Sequence, residues 1–423
     1  MSTESSGSVA PQSVSLTALV RDNPAFGILV AGQWVSTVGN QLTGLALVWL
    51  VLSLTHSRAA LGLVAAAGEA SGLAMIFAGV YVDRWRHRRT LVTTDMVRAA
   101  MAFALFALAA THHLDLGLIV VIVIVSRVAG SFFTPAAFAF MQQLVEKARL
   151  PRATGLLSST RTSAGIVGQL LAGALLSALG PASLFFLDAL TFVASVGTLA
   201  RIGRGRPDPP VQERRGRSLW REVVDGQQDL WRNRFLRRLV PLGMIMGFFS
   251  IAVFVLDVAW VRQVLHGGPL AFAGFWVAAG VGGVAGGLAS GRLQDRFTAA
   301  TLTIVPLVLG GLSIVALSRI PVLAVNLPLM FILGTALAVQ STALNVLLQQ
   351  MVSPEVIGRS IGAVGALTGV TSPLGAVAAG VAATLVSLST VLLVSGIMVA
   401  VSALGLVGMS RPEPVARDCR GVT

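Results

Sequence analysis

A handful of ionisable side chains interrupt otherwise long apolar stretches: Glu69, Arg127, Arg161, Asp188 and Asp257. A charge at membrane depth is costly, and it persists where it binds something, relays a proton or pairs with another charge. Glu69 falls near the middle of its stretch, and a carboxyl that passes between wet and dry surroundings can take up and release a proton. Arg127 lies at comparable depth in another stretch and suits the role of its partner. The structural alternative is a standing Glu69–Arg127 or Glu69–Arg161 bridge that only ties helices together. Glu69, Arg127 and Asp188 are therefore the proton-coupling candidates. Asp188 and Asp257, in the outer thirds of their stretches, are placed either to attract a cation or to reach interfacial water. Asp95 and Arg98, three residues apart, read as an intrahelical pair near one membrane face.

Uncharged polar groups form a second set. Gln33, Thr37, Asn40 and Gln41 follow helical spacing, and several share one face. Gln340 and Asn345 occupy a later stretch. In a cavity such amides hydrogen-bond a polar substrate; between helices they bond each other. Phe248, Phe249, Phe254, Trp260, Phe275 and Trp276 can line an apolar pocket, or face lipid one by one. A third set is mechanical. Gly79 lies near the end of an apolar stretch and Asp83, Arg84, Arg88 and Arg89 in the polar break after it, and Gly291, Asp295 and Arg296 repeat part of that spacing. A glycine lets two helices approach, and an aspartate there can pair with basic groups or a helix N-terminus. Such contacts hold one end of a bundle shut and must break when it opens.

Other chemistries find no support. No His, Asp and Glu cluster has metal-ligand spacing, and the one cysteine, Cys419, excludes disulfide frameworks and cysteine-based metal sites. No phosphate-binding loop or nucleophile–base pair is present. The run from Gly280 to Ala285 formally fits a dinucleotide fingerprint, but it follows no strand. Gly283, Gly287 and Gly291, four apart, make a close-packing helix face instead. The sequence thus predicts no enzyme, cofactor or metal.

Positioning these groups requires membrane helices. Charged residues make up 12% of the 423 and hydrophobic residues 55%. A soluble chain of this length could not clothe its surface with so few charges, since about a quarter of a soluble domain is charged. Twelve stretches are long enough to cross a bilayer, given the need for roughly 20 apolar residues. Their ranges are 26–54, 59–82, 91–111, 116–140, 153–178, 182–200, 239–261, 270–291, 301–318, 322–347, 359–383 and 387–409. Of the 31 Lys and Arg, 25 fall on one set of loops and tails, and only Arg58, Arg262 and Arg319 on the other. The positive-inside rule then places both termini in the cytoplasm. The net charge of +13 serves topology on this reading and not nucleic acid. The first 25 residues show no early apolar core of a cleavable signal.

The chain also repeats itself. Gln142, Gln143 and Val145 recur as Gln349, Gln350 and Val352, and at the same offset Arg152, Gly168, Ala172 and Gly173 recur as Arg359, Gly375, Ala379 and Gly380. Two six-span repeats joined by a polar linker is the plan of a transporter with its site between the halves. The organisation expected is a cytoplasmic tail over 1–25, a six-helix bundle over 26–200, a basic linker over 201–238, a second bundle over 239–409 and a tail over 410–423. Within the linker, Trp220, Val223, Val224, Leu230 and Trp231 recur at roughly helical spacing, which suggests an amphipathic helix on the inner leaflet.

The segment carrying Gly79, Asp83, Arg84, Arg88 and Arg89 resembles the loop signature of the major facilitator superfamily, and the loop with Pro354, Glu355, Gly358 and Arg359 is also typical of it. Asn23-Pro24, Gly32-Gln33, Pro135-Ala136 and the run from Asp188 to Phe192 resemble the enterobactin-exporter and macrolide-efflux subgroup. The likeness runs from residue 23 to about 409. It departs at Gln169, where such exporters carry proline, and at Asn40, where many relatives carry aspartate. The resemblance implies a twelve-helix, all-α membrane protein that exports small amphipathic molecules in exchange for protons. Gln33, Thr37, Asn40, Gln41, Arg161, Gln169, Asp257, Gln340 and Asn345 are the cavity candidates. Gly79, Asp83, Arg84, Arg88, Arg89, Gly291, Asp295, Arg296, Glu355 and Arg359 are the gating candidates. A siderophore or metabolite exporter, an uptake symporter and a non-transporting sensor or scaffold are the alternatives. A sensor would carry a soluble domain, and no loop exceeds 38 residues. The expected partners are the lipid bilayer, a small-molecule substrate and protons, with no nucleic acid and the chain acting as a monomer. Lys147 stands alone among 30 arginines, a hint of a bacterial, GC-rich genome and so of a bacterial cell membrane.

Overall fold

The computed structural model of the chain describes residues 16–69, 72, 74, 85–202, 234–351 and 357–406. The readings on Gly79, Asp83, Arg84 and Glu355, on the amphipathic linker segment, and on residues 1–15 and 410–423 of the tails lie outside the described residues.

In an apolar medium every backbone N–H and C=O must find a partner within the chain, and the helix achieves this locally. The described residues accordingly form helices and turns: α1 (Leu16–Asp22), α2 (Pro24–Thr55), α3 (Arg58–Gly68), α4 (His87–Ala110), α5 (Leu116–Leu144), α6 (Leu150–Arg201), α7 (Arg234–Ala259), α8 (Pro269–Gln294), α9 (Ala299–Arg319), α10 (Leu323–Met351), α11 (Ile357–Leu385) and α12 (Leu388–Ser402). Among the described residues, nine helices are long and apolar enough to cross a bilayer. Side-chain caps set several ends, where Ser57, Asp115, Thr298 and Ser387 each accept from the backbone N–H three residues on. A short π-helical turn (Trp260–Val264) extends α7.

The sequence separates spans at 153–178 and 182–200, whereas the hydrogen bonding runs on through a single element of 52 residues, α6. Straight, it would reach about 78 Å, far beyond a bilayer core of about 30 Å. It folds back at Gly180, whose φ of 76° and ψ of 172° only glycine adopts readily, with Pro181 next. Two sets of contacts with α2 show the reversal. Gln33 meets Arg161, and Gln41 meets Gly165, so the first arm runs with α2. A side chain at Gly32 would meet Thr198 and one at Gly39 would meet Thr191, so the second arm runs against it.

The core divides in an informative way. One apolar cluster draws on both halves, with Leu45, Leu61 and Phe185 joined to Leu256, Phe272 and Leu392. It adjoins the turns at 56–57, 111–115, 265–268 and 320–322. At the opposite end the core separates by half, with one cluster in the first and two in the second, the smallest of them Leu302, Val339 and Ala343. Phe26, Leu91, Phe140 and Leu157 pack in the first half, and Leu236, Leu307, Leu348 and Val399 in the second. Large apolar side chains also stay bare on the outside of the bundle, Leu288 at 76% and Leu385 at 79% exposure. Lipid is the solvent that tolerates them.

Candidate functional site

Between the halves lies a cavity of about 630 Å³. Gln41 on α2 and Thr162 and Gln169 on the first arm of α6 supply its polar N-terminal wall. Phe254 and Asp257 on α7, with Phe272 and Trp276 on α8, form the opposite wall. Small residues fill the remaining wall (Gly44, Gly165, Gly280, Gly283 and Gly334), which leaves room for a ligand larger than any one side chain.

One end of this cavity is tightly closed. Gly62 on α3 and Gly380 on α11 abut, so that a Cβ on Gly62 would lie 2.5 Å from the Ala376 carbonyl oxygen. Beside them the Arg58 guanidinium donates to the Ala383 carbonyl (2.7 Å) and twice to Gln263 Oε1 (3.0 and 2.7 Å), bridging the halves. Gly173 on α6 packs on Pro269 and Ala273 at the start of α8, again with no space for a side chain. Arg262 lies over the Trp49 ring, 5.2 Å from its centre. These contacts share an end with the apolar cluster that spans both halves. The three arginines outside the basic set of loops, Arg58, Arg262 and Arg319, mark that same end.

A second constellation is buried in the first half. Asp95 is fully buried, and the Ser195 hydroxyl donates to its Oδ2 at 2.6 Å. Arg98 Nη1 lies 3.8 Å from Asp95 Oδ1, while its Nη2 donates to Asn40 Oδ1 and its guanidinium covers the Phe192 ring at 4.3 Å. Asp188, 2% exposed, accepts from the Thr191 hydroxyl at 3.2 Å and has Arg98 and Arg127 as its charged neighbours. Gly39 makes this meeting feasible, since a side chain there would strike both Thr191 and Asp188. Two carboxylates and two guanidiniums thus gather from three helices, α4, α5 and α6, and α2 supplies the Asn40 amide. Arg98 Nε and Asp95 Oδ1 have no hydrogen-bond partner. An incompletely satisfied network in a dry interior is costly, and such groups are poised to change partners.

Set against the sequence, Gln41, Gln169 and Asp257 do line the cavity. Asp257 is 5% exposed. Asp188 faces the charged network rather than the cavity. Asn40 is taken by Arg98, and Gln33 accepts from Arg161 Nε and Nη2 at 3.3 Å each. Gln340 borders a smaller apolar cavity of about 90 Å³ within the second half. Thr37 is half-buried and Asn345 exposed, and neither is among the lining residues of the central cavity. Phe254 and Trp276 line that cavity as a stacked pair, their ring centres 5.3 Å apart. Trp260 and Phe275 are buried in packing instead.

No ion pair joins Glu69 to Arg127 or Arg161 among the described residues. Glu69 sits half-buried at the C-terminal end of α3, and Arg161 is engaged by Gln33 and the Phe138 ring. The sequence read Asp95 and Arg98 as a local intrahelical pair, and the two do approach to 3.8 Å. Their i, i+3 spacing was visible, but the residues that complete the network come from α2 and α6, far away in the chain. Of the gating candidates, Arg88 donates to the Leu199 and Ala200 carbonyls at 2.9 and 3.0 Å, tying the start of α4 to the C-terminus of α6. Arg89, Gly291, Asp295 and Arg296 are exposed, and Arg359 lies in α11. Among the described residues no group of His, Cys, Asp and Glu could hold a metal.

The profile of the Major Facilitator Superfamily matches residues 29–375. The multidrug efflux pump Tap of Mycolicibacterium fortuitum is 24% identical over 391 residues, covering 88% of this chain and 93% of that one. Macrolide efflux protein A of Streptococcus pyogenes is 22% identical over 380 residues, with the same coverage of 88% and 93%. Among solved structures, a mutant form of the nucleoside transporter NupG superimposes with a TM-score of 0.79 at 14% identity, covering 92% of this chain and 100% of that one.

Proposed function

The chain belongs to the Major Facilitator Superfamily, and from that membership we propose that it exports small amphipathic molecules, such as an antibiotic or other secondary metabolite, in exchange for protons. It is a multi-pass membrane transporter, not an enzyme. On this reading it crosses a bacterial cell membrane twelve times as two six-helix repeats, with both termini cytoplasmic, and it works as a monomer. The low-identity likeness to Tap and to macrolide efflux protein A supports export over uptake. The observation that carries the reading is the cavity between the halves, closed at one end by contacts from both bundles. Those contacts sit at the end with few arginines, which the charge bias makes the outer face. The state seen is then the inward-facing one of an alternating cycle.

Proton exchange on this account belongs to the buried network and not to Glu69. Asp188, with Arg98 and Arg127 beside it and Asp95 one contact away, can pair with a guanidinium in one state and carry a proton in the other. Arg98 would switch partners among Asp95, Asn40 and Asp188 as the helices shift. The test is a reconstituted assay in proteoliposomes with an imposed pH gradient and a panel of lipophilic compounds. Gradient-driven accumulation should occur for the native chain and vanish for Asp188→Asn, while gradient-free substrate exchange persists. Full gradient-driven transport by Asp188→Asn would remove the network from the coupling.

A further inference from the structure

We infer that Asp257, with Trp276 and Phe254, forms a recognition site for a monovalent organic cation on the C-terminal wall of the cavity. This rests on the cavity being the substrate path, and it adds the charge of the substrate. Asp257 is 5% exposed, yet it borders the 630 Å³ cavity, and its Oδ2 has no hydrogen-bond partner. Its Oδ1 accepts from the adjacent Val258 N–H at 2.6 Å, and the Trp276 side chain lies within hydrogen-bonding reach of the carboxyl. No described cation pairs with it. The nearest arginine along the chain, Arg262, is engaged over Trp49, and Arg58 is held by Gln263 and Ala383.

A buried carboxylate with no counter-charge is an expensive thing to keep, and an arriving cation relieves that expense. The surroundings select which cation. Trp276 stands beside the carboxyl and stacks with Phe254, so an aromatic pair shares the cavity wall with the charge. Aromatic rings attract weakly hydrated organic cations, whereas a metal ion demands several oxygen ligands that this wall lacks. The amides of Gln41 and Gln169 face it across the cavity and can accept or donate to polar parts of the same molecule. The two buried charge systems therefore divide the labour, with recognition in the second half and coupling in the first.

The experiment is equilibrium binding to the full-length protein in detergent, using tetraphenylphosphonium and its neutral relative triphenylphosphine oxide. The native chain should favour the cation at least tenfold. Asp257→Asn should lose that preference while binding the neutral compound unchanged, and Asp257→Glu should retain most of it. Trp276→Leu should weaken the cation several-fold more than the neutral compound. Unchanged binding of the phosphonium by Asp257→Asn, or equal affinity of the native chain for both probes, would overturn the inference. Because binding is read without a gradient, that failure is distinct from failure of the export reading. Gradient-driven efflux of neutral compounds alongside a negative binding result would refute only the cation site.

Discussion

Gly62 offers the most quantitative handle on the closed end. A Cβ placed there would lie 2.5 Å from the Ala376 carbonyl oxygen and 3.0 Å from the Gly380 Cα. Ordinary contacts are about 3.5–4.0 Å, so α3 and α11 would have to part by about 1 Å. Overpacking of this kind costs about 1–3 kcal/mol. The penalty falls on the outward-closed state alone, because the two helices separate when that end opens. At about 1.4 kcal/mol per factor of ten, Gly62→Val should shift the balance away from the closed state by roughly 5- to 150-fold. Spin labels at Gln142→Cys and Gln349→Cys, in a Cys419→Ser background, report the separation of the two basic ends. These positions correspond by the internal repeat and are exposed. The native chain should show mostly the long distance, and the valine variant should populate a shorter one. An unchanged distribution in a folded variant would refute the steric argument and the assignment of the closed end.

Three further substitutions probe other joints. Arg58→Ala removes three hydrogen bonds between the halves and should weaken outer closure by about 1–2 kcal/mol, seen as faster external labelling of a cysteine in the cavity. Arg88→Ala frees the carbonyls of Leu199 and Ala200 at the C-terminus of α6. It should lower thermal stability by about 1–2 kcal/mol in detergent while leaving ligand binding intact. Gly180→Ala forces a side chain into a backbone region that disfavours it. About 1–3 kcal/mol of destabilisation is expected, read as reduced yield of monodisperse protein.

Hydropathy located the helices because an apolar run of sufficient length has few other fates. Charge bias is what suggests the two faces, because one set of loops and tails holds 25 of the 31 Lys and Arg. What sequence could not supply was the rotation of each helix about its own axis. Depth alone suggested Glu69 facing Arg127, yet facing is decided by which stripes pack, and no ion pair joins the two among the described residues. Asn40 read as a departure from the aspartate that many relatives carry, whereas in space it holds Arg98. Ser195 gave no signal at all, because a serine in a small-residue helix is unremarkable until an aspartate meets it. The fold-back at Gly180 was legible as a gap of a few residues but not as a hinge inside continuous hydrogen bonding. Asp257, which the sequence placed either to attract a cation or to reach interfacial water, is 5% exposed on the cavity wall.

The central claim is a cavity that opens to one side at a time. Gln169→Cys in the Cys419→Ser background places a single thiol in its wall. A membrane-impermeant maleimide should modify that thiol from the cytoplasmic side of vesicles holding the resting protein. From the outer side it should react only when a pH gradient and substrate drive turnover. Labelling from both sides at once, or from the outer side alone at rest, would contradict the account.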